Sequence, residues 1–359
     1  MMEPTQISCI VLSYNGGKCI IPTLESCKLQ TYPYKDLVIA DDHSTDNGYT
    51  VSIIENWVNN NNGYFKNILF IKNPQNLGIV KNVRNASLHA MGDILFGLGQ
   101  GDLCYGPKTL EVMAKQIQYQ RNNGEEDPYF WLGEYMGYKI EHNKLTKIQL
   151  YKDLPHQHKL LITNPDKSLK QNLSGWEIGG VGIIYHKKFY HDSIYPLFNA
   201  PKNWEDGPTF IWALAENRKI GILNMKLRWY EVGSGISWQN SKSQISLILE
   251  AINILQNKKT PSIMAKTTQY KELCNWLQGL KTSDSKMKKI LNDYSLFLKS
   301  LDSPILFQRI SFVLKKFFYL MSSSLNKIIS IIYYKILPMK ETPESVSFEL
   351  NKFLKIDDL

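Results

Sequence analysis

Hydrophobic and polar positions in the first third of the chain alternate between short apolar runs and stretches with helical spacing. Each of four apolar runs ends in polar residues, and the segments between them have apolar positions that recur about every 3.6 residues. Strands that alternate with helices predict right-handed crossovers and a parallel sheet, with a ligand crevice at the carboxyl ends of the strands. The predicted strands are 7–15, 37–42, 67–74 and 93–102, and the predicted helices are 19–32, 47–60 and 75–92.

The second predicted strand ends on two adjacent acids, Asp41 and Asp42, which lead into a turn that contains Asp46. The carboxyl end of a parallel strand is where a fold of this kind places its site, which favours a functional interpretation. The alternative is that Asp42 and Asp46 only cap the next helix. Capping explains one acid of the adjacent pair and leaves the other, so we predict a binding site at this edge.

The loop after the first strand reads SYNGGK, with Gly16 and Gly17 as its glycines. A nicotinamide site of the Rossmann type needs G-x-G-x-x-G at this point, together with an acid after the second strand. The third glycine is missing and no clear helix start follows, so the sequence argues against a nicotinamide cofactor.

Length and composition predict one large domain with an appendage, since the chain has 359 residues of which 43% are hydrophobic. The net charge of +9 favours nucleic acid, an anionic membrane surface or phosphorylated small molecules as partners. The sequence contains neither a compact Arg-rich block nor an aromatic-basic RNA signature, so we expect no nucleic-acid partner.

Cysteine usage and the first residues bear on the compartment. Five cysteines are an odd number and form no metal-type CxxC pair, which predicts reduced and buried thiols. The first residues contain no signal peptide, so we expect a cytoplasmic protein. No uninterrupted run of 18 apolar residues predicts a transmembrane helix.

Four blocks of sequence, taken in order, resemble the successive motifs of family 2 glycosyltransferases with the GT-A fold. They are VLSYNGG, LESCKLQTYPYKDLVIADDHSTD, NLGIVKNVRNASLHAMGDILFGLGQGD and NWEDGPTFIWAL. The resemblance spans roughly residues 6 to 240. It implies an α/β fold with a mixed, mainly parallel sheet flanked by helices. The implied domains are a catalytic domain over 1–240, with a nucleotide-binding half over 1–107 and an acceptor half over 108–240, and an α-helical region over 241–359.

The resemblance implies that the first crevice binds the nucleotide of an activated sugar, commonly uridine diphosphate. Tyr14 matches the residue that lies along the base, and Asp42 matches the acid that accepts a hydrogen bond from the base edge. Uracil N3–H needs an acceptor, and a carboxylate forms a charge-assisted bond with it. The implied nucleotide-binding residues are Ser13, Tyr14, Asn15, Asp41, Asp42, Lys81 and Gln100.

Two basic residues of the third block match positions near the diphosphate. For Lys81 this role and that of a solvated surface charge are both open, whereas for Arg84 we favour the surface.

The segment GLGQGDLCYGP departs from the family, which usually has Asp-x-Asp after the fourth strand. Alignment on Pro107 places Asp102 at the metal-binding acid and Gln100 at the first acid. Alignment on Gly92 instead places Gly99 and Gly101 on the two acids. We favour the first alignment, with one extra residue bulged at the strand end, because it leaves an oxygen ligand for Mn²⁺ or Mg²⁺.

The acceptor half contains the implied catalytic acid. Asp206 matches the general base that removes a proton from the acceptor hydroxyl, and helix N-capping is its alternative role. The acceptor-side residues are Gly180, Trp204 and Glu205, where the glycine permits either close ligand approach or a tight loop. A base opposite the leaving group implies a single displacement with inversion at the anomeric carbon.

Two further segments, residues 228–237 and 305–337, carry predictions about the core and about membrane contact. RWYEVGSGIS, from Arg228 to Ser237, resembles the strand and loop that close the domain beside the active site, and we expect Trp229 and Tyr230 to belong to the core. Residues 305–337 are apolar and punctuated by lysines, which predicts a helical region that lies in the headgroup plane of a membrane. Packing on the catalytic domain or on a second subunit is the alternative, so a homo-oligomer stays open.

The predicted function is an inverting, metal-dependent hexosyltransferase that uses a nucleotide diphosphate donor, such as a UDP-sugar. Its expected acceptor is a glycan or a lipid-linked sugar in bacterial surface polysaccharide synthesis, at the inner face of the cell membrane. The alternative is a non-catalytic sugar-nucleotide binder or assembly partner, because the Asp-x-Asp motif is altered.

Overall fold

A computed structural model of the chain describes residues 3–141, 144–150, 154–163, 180–191, 213 and 218–232. Within these ranges no helix has the length and apolar character needed to cross a membrane. The strands are β1 Ile7–Ser13, β2 Lys35–Asp41, β3 Ile68–Lys72, β4 Ile94–Gly99, β5 Leu103–Cys104, β6 Phe130–Glu141, β7 Lys144–Leu150, β8 Ile183–His186 and β9 Ile220–Glu231. The helices are α1 Ile20–Lys28, α2 Tyr49–Asn59, α3 Ile79–Leu88, α4 Thr109–Asn122 and α5 Leu154–Thr163.

The first four strands form the parallel part of one sheet, in the spatial order β3-β2-β1-β4. β1 pairs with β2 from Ile7 opposite Lys35 to Ser13 opposite Asp41, and with β4 from Ile7 opposite Ile94 to Leu12 opposite Gly99. Nearly every residue of β1 and β2 is buried, as expected for parallel strands covered on both faces. The predicted alternation of strands and helices is confirmed, and the strand ends lie at one edge.

The second half of the domain extends the same sheet in mixed orientation. β8 lies between β4 and β6 and is antiparallel to both, whereas β9 is parallel to β6 and antiparallel to the short β5. β7 pairs with β6 outside this path. β9 therefore runs back toward the carboxyl ends of the parallel strands, and its last residue, Glu231, reaches the turn after β4.

Helix boundaries differ from the predicted ones where side chains take over backbone hydrogen bonds. α1 ends at Lys28, before Pro33, because the Gln30 side-chain amide donates to the carbonyl of Ser26 over 3.0 Å. α3 begins only at Ile79, because the backbone N–H groups of Leu77 and Gly78 donate to Asp42.

The core lies between the sheet and its helices. Trp131 and Trp229 are among its largest fully buried side chains, which confirms the prediction for Trp229. Cys9, Cys27 and Cys104 are free and buried, as expected, whereas Cys19 is exposed. Three subjects of our predictions lie outside the described residues: the domain boundary at residue 240, Cys274 and the segment 305–337.

Candidate functional site

Three loops meet at the carboxyl edge of the parallel strands, where they follow β1, β2 and β4. Gln100, just after β4, connects two of them, since its Oε1 accepts a hydrogen bond from the backbone N–H of Tyr14 over 3.0 Å. Its Nε2 donates to the carbonyl of Tyr14 over 3.2 Å, and the Ser13 hydroxyl donates to Oε1 over 3.4 Å. The structure therefore brings Ser13, Tyr14 and Gln100 together, as the resemblance implied.

Gly16 makes this connection possible. A Cβ at Gly16 would overlap Oε1 of Gln100 and would lie 3.1 Å from its Cδ. The backbone of Gly16 has φ −77° and ψ −28°, so this glycine is required for space and not for a left-handed conformation.

Asn15 connects the loop after β1 to the loop after β2. Its backbone N–H donates to the Ser44 hydroxyl over 2.8 Å, and its Oδ1 accepts from the backbone N–H of Thr45 over 2.7 Å. Asn15 has φ +50°, a left-handed conformation that asparagine tolerates better than most residues. Tyr14, next to it, exposes 44% of its surface, so an aromatic ring stands at the protein surface between two anchored residues.

The two adjacent acids at the end of β2 are buried and hold different loops. Asp41 accepts two hydrogen bonds from Ser44, at Oδ2 from its backbone N–H over 2.8 Å and at Oδ1 from its hydroxyl over 2.5 Å. Asp42 accepts at Oδ1 from the Leu77 N–H over 2.8 Å and at Oδ2 from the Gly78 N–H over 2.9 Å. Its Oδ1 also accepts from the Asn73 amide over 3.0 Å.

Helix capping falls to the third acid of this segment. The Asp46 carboxylate accepts hydrogen bonds from the backbone N–H and the hydroxyl of Thr50, in the first turn of α2. Asp42 instead holds the residues just before α3. α3 carries Lys81, which is exposed in its first turn, and Arg84, which is half-buried and not on the open surface that we favoured for it.

The segment after β4 forms a tight turn. The Asp102 N–H donates to the carbonyl of Gly99 over 3.0 Å, and Gly101, at the third position, has φ +93°. A type II turn requires a positive φ at this position, which explains the glycine. The pairing of β4 with β1 runs to Leu12 opposite Gly99 without a register shift, so the bulge that we expected at the strand end is wrong, and a tight turn follows the strand instead.

Asp102 is buried behind this turn. Its Oδ2 accepts from the Gly99 N–H and its Oδ1 from the Glu231 N–H, each over 3.2 Å. Burial raises the pKa of Asp102 to about 6, while the charge of Arg228 and these two backbone donors lower it and the charge of Glu231 raises it further. Arg228 is buried as well, and its guanidinium donates to the carbonyls of Gly97 and Ile183.

Two carboxylates lie at this turn, and carboxylate oxygens are ligands that divalent cations bind. The carboxylate of Glu231 lies against Gly101, where an added Cβ would lie 3.0 Å from the Glu231 Cδ. Asp102 and Glu231 thus present carboxylate oxygens at the same turn, and Mg²⁺ and Mn²⁺ prefer oxygen ligands. Glu231 was not among the predicted residues, although it belongs to the block RWYEVGSGIS that resembles a strand beside the active site.

A second group with metal-binding residue types lies at the opposite edge of the sheet. Asp93, Asp127 and His186 have ligand atoms within 4.8 Å of one another. Asp93 precedes β4, whereas the turn described above follows it, so this group is separate from the three loops. Arg121 already lies between the two acids, with Nη2 at 2.7 Å from each carboxylate, and supplies the positive charge there.

Several predicted acceptor-side residues lie outside the described part of the chain, namely Trp204, Glu205 and Asp206. Gly180 begins a short 3₁₀ turn, Gly180–Gly182, that leads into β8. Within that turn a Cβ on Gly182 would overlap the carbonyl oxygen of Gly133 in β6. Close backbone packing therefore explains Gly182, and the role of Gly180 stays a prediction.

Comparison with known proteins gives a match to one family model and a likeness to solved structures. Residues 8–164 match the family model described as Glycosyl transferase family 2. No curated protein matches the chain. Among solved structures, S. aureus TarS 1–349 in complex with UDP-GlcNAc has 20% sequence identity and a TM-score of 0.50, over 85% of this chain and 78% of that chain. This likeness confirms the predicted fold.

Two further solved structures are similar to a lesser degree. S. aureus TarS 1–349 in complex with UDP has 17% identity and a TM-score of 0.48, over 85% of this chain and 77% of that chain. The mannosyltransferase PcManGT from Pyrobaculum calidifontis, in complex with GDP-Man and Mn²⁺, has 11% identity and a TM-score of 0.46, over 99% of this chain and 86% of that chain.

Proposed function

We propose that this chain, whose residues 8–164 match the model of Glycosyl transferase family 2, transfers a hexose from a UDP-sugar to a hydroxyl group of an acceptor. The observation that supports this most directly is the set of side-chain hydrogen bonds by which Gln100 and Asn15 join the three loops beside Tyr14. An ordered polar edge with an exposed aromatic ring suits a nucleobase and its diphosphate, because every base has a face that stacks on aromatic rings.

Each group at this edge has a task in donor binding. Tyr14 stacks on the uracil, and Asp42, already fixed by three donors, orients the loop around it. Lys81 and the first turn of α3 attract the diphosphate, since the N-terminus of a helix favours negative charge. Asp102, with the turn after β4, would hold a divalent cation.

The chemistry needs a base and a stabilised leaving group. Asp206 takes the proton of the acceptor hydroxyl as that oxygen attacks the anomeric carbon, which requires a distance of roughly 2.6 to 3.2 Å in the complex. When bound, a divalent cation such as Mn²⁺ or Mg²⁺ neutralises charge that develops on the departing diphosphate. Attack from the face opposite the diphosphate gives inversion. The acceptor we propose is a glycan or a lipid-linked sugar of a bacterial surface polysaccharide.

The second candidate function is a non-catalytic sugar-nucleotide binder. It is motivated by the altered Asp-x-Asp segment, in which Gln100 stands at the position of the first acid.

Turnover distinguishes the two functions. Purified protein with Mn²⁺ and a panel of UDP-sugars is assayed for UDP release, and UDP binding is measured by calorimetry. Asp206→Asn should abolish release and leave UDP affinity unchanged. UDP binding without release from any donor and acceptor would favour the binder, and equal release from wild type and Asp206→Asn would remove Asp206 from its role.

We also propose that residues 305–337 attach the protein peripherally to the cytoplasmic face of the membrane, because their lysines interrupt an otherwise apolar segment. Lys315→Glu/Lys316→Glu should reduce flotation with vesicles that contain anionic lipid. The charge-matched control is Lys66→Glu/Lys115→Glu, in the folded domain. Equal flotation of the two double variants would contradict the proposed attachment.

A further inference from the structure

The turn after β4 lacks a side chain at Gly101, and the carboxylate of Glu231 occupies the space that one would fill. An added Cβ at Gly101 would overlap Oε2 of Glu231 and would lie 3.0 Å from its Cδ and 3.3 Å from its Cβ. The Tyr138 hydroxyl donates to the carbonyl of Gly101 and holds this turn against β6. The position of the turn relative to Glu231 is thus fixed from two sides.

The backbone of Glu231 is held by a hydrogen bond to Asp102 and by strand pairing with β6. Its N–H donates to Oδ1 of Asp102 over 3.2 Å, and it pairs with Tyr138 at the last position of the β6–β9 register. Two carboxylates are therefore held at one turn, and their mutual repulsion grows as water is excluded around them. The Arg228 guanidinium offsets part of this charge, but it donates to the carbonyls of Gly97 and Ile183.

We infer that Glu231 supplies, from the end of β9, the second carboxylate that the segment after β4 lacks, and that Asp102 and Glu231 together hold the divalent cation. The inference rests on the proposed function for the presence of a cation, and it adds the residue that compensates for the altered Asp-x-Asp segment. Oxygen ligands from two carboxylates suit Mg²⁺ or Mn²⁺, which complete their coordination with phosphate oxygens and water. Asp102 in the turn and Glu231 from β9 would then bind the cation that two acids of an Asp-x-Asp motif otherwise bind.

Binding of Mn²⁺ to the full-length protein tests this inference without reference to activity. The free aqueous ion is followed by electron paramagnetic resonance during titration, with protein alone and with saturating UDP. Glu231→Gln should weaken Mn²⁺ binding by about 10- to 100-fold, a loss that even outer-shell partners of metal ligands commonly cause. The Mn²⁺ affinity of Glu231→Asp should lie between those of wild type and Glu231→Gln. Glu55→Gln, which removes a carboxylate from the exposed face of α2, should bind as wild type does.

A second variant moves the carboxylate without removing it. Gly101→Ala places a methyl group where Oε2 of Glu231 now lies and strains a residue with φ +93°, so the carboxylate and the turn both have to move and Mn²⁺ binding should weaken in the same direction. Circular dichroism at each titration temperature identifies a variant that fails to fold. If one of Glu231→Gln and Gly101→Ala fails to fold, the Mn²⁺ affinity of the other tests the inference.

Two results would overturn the inference: a folded Glu231→Gln or Gly101→Ala variant that binds Mn²⁺ as tightly as wild type, or a wild-type protein that binds no Mn²⁺ with or without UDP. Failure of the proposed function has a different signature, which is the absence of UDP binding both in EDTA and in Mn²⁺. Binding of Mn²⁺ that depends on Glu231 in the protein alone would support the inference even then.

Discussion

Oδ2 of Asp42 accepts a hydrogen bond from the backbone N–H of Gly78 over 2.9 Å, and this bond joins the end of β2 to the residue before α3. Oδ1 of the same carboxylate accepts from the Leu77 N–H over 2.8 Å. Asp42 is buried, with 5% of its surface exposed. Water therefore cannot take the place of its carboxylate as the acceptor for these two N–H groups. The acid at the edge of the site therefore positions α3, and with it Lys81.

Asp42→Asn should destabilise the domain by about 1–3 kcal/mol, because an amide nitrogen would face one of these backbone donors and leave it unsatisfied. Asp46→Ala, which removes the cap of α2, should cost about 1 kcal/mol. Urea unfolding at neutral pH measures both. An equal or larger loss for Asp46→Ala would contradict the central position of Asp42.

The same comparison extends to nucleotide binding. Asp42→Asn should also lower UDP affinity, because α3 and Lys81 lose their anchor, whereas Asp46→Ala should leave it nearly unchanged. Calorimetric titration with UDP on folded variants separates the two effects.

Tyr14 should contribute to nucleotide affinity and little to stability, because its ring is exposed while its backbone is held by Gln100. Tyr14→Ala should weaken UDP binding by about 1–3 kcal/mol, the range found for a base stacked on an aromatic ring. Tyr14→Phe should bind UDP nearly as wild type does. Tyr119→Ala, at an exposed tyrosine of α4, is the control, and a similar loss there would contradict stacking on Tyr14.

Gly16→Ala should weaken UDP binding through Gln100. The methyl group would overlap Oε1 of Gln100, while the φ of −77° accepts any residue, so displacement of that side chain is the expected cause of the loss. In a Gln100→Ala background the same substitution should have little further effect, a coupling that a double-mutant cycle measures. Gly63→Ala is the control, since nothing lies within 4 Å of an added Cβ there. If the losses of UDP affinity caused by Gly16→Ala and Gln100→Ala were additive, Gly16→Ala would not act through the Gln100 side chain.

The parallel strands were predictable because each is a local signal. β1 lies within the predicted 7–15, and β3 within 67–74, since a short run of apolar residues is recognisable without knowledge of its neighbours. The helix ends were less predictable, because Gln30 and Asp42 shorten α1 and α3 through hydrogen bonds of their side chains. For Asp42 the partner is 35 residues away, which no local pattern indicates.

The site was predictable where residues directly follow the parallel strands of the first half, and not where β9 of the second half reaches the same edge. Ser13, Tyr14 and Gln100 were identified by resemblance, and the structure brings them together. Glu231 was missed because its position beside Gly101 depends on the parallel pairing of β9 with β6, which is set by sheet order. The turn at Gly101 was misassigned as a bulge because spacing alone does not separate an extra residue in a strand from one in a turn.

His158 should make the domain sensitive to mild acid. It is buried in α5, and burial lowers its pKa from 6.5 to about 4, so the folded protein takes up a proton there less readily than the unfolded chain. The unfolded state binds more protons between these two values, and the free energy of unfolding therefore falls as the pH is lowered from about 6.5 toward 4. At pH 5 the loss attributable to this residue is about 2 kcal/mol relative to pH 7.5, from about 1.4 kcal/mol per pKa unit.

Substitution of His158 isolates this contribution from that of the carboxylates. His158→Gln should lose less stability than wild type between pH 7.5 and pH 5, by about the 2 kcal/mol assigned to the imidazole. The same substitution at the exposed His89 is the control and should leave the pH dependence unchanged. Urea unfolding at the two pH values measures all three proteins. Parallel losses in wild type and His158→Gln would mean that α5 opens or admits water at pH 5 without cost, because a histidine that stays solvated in the folded state gains no protons on unfolding.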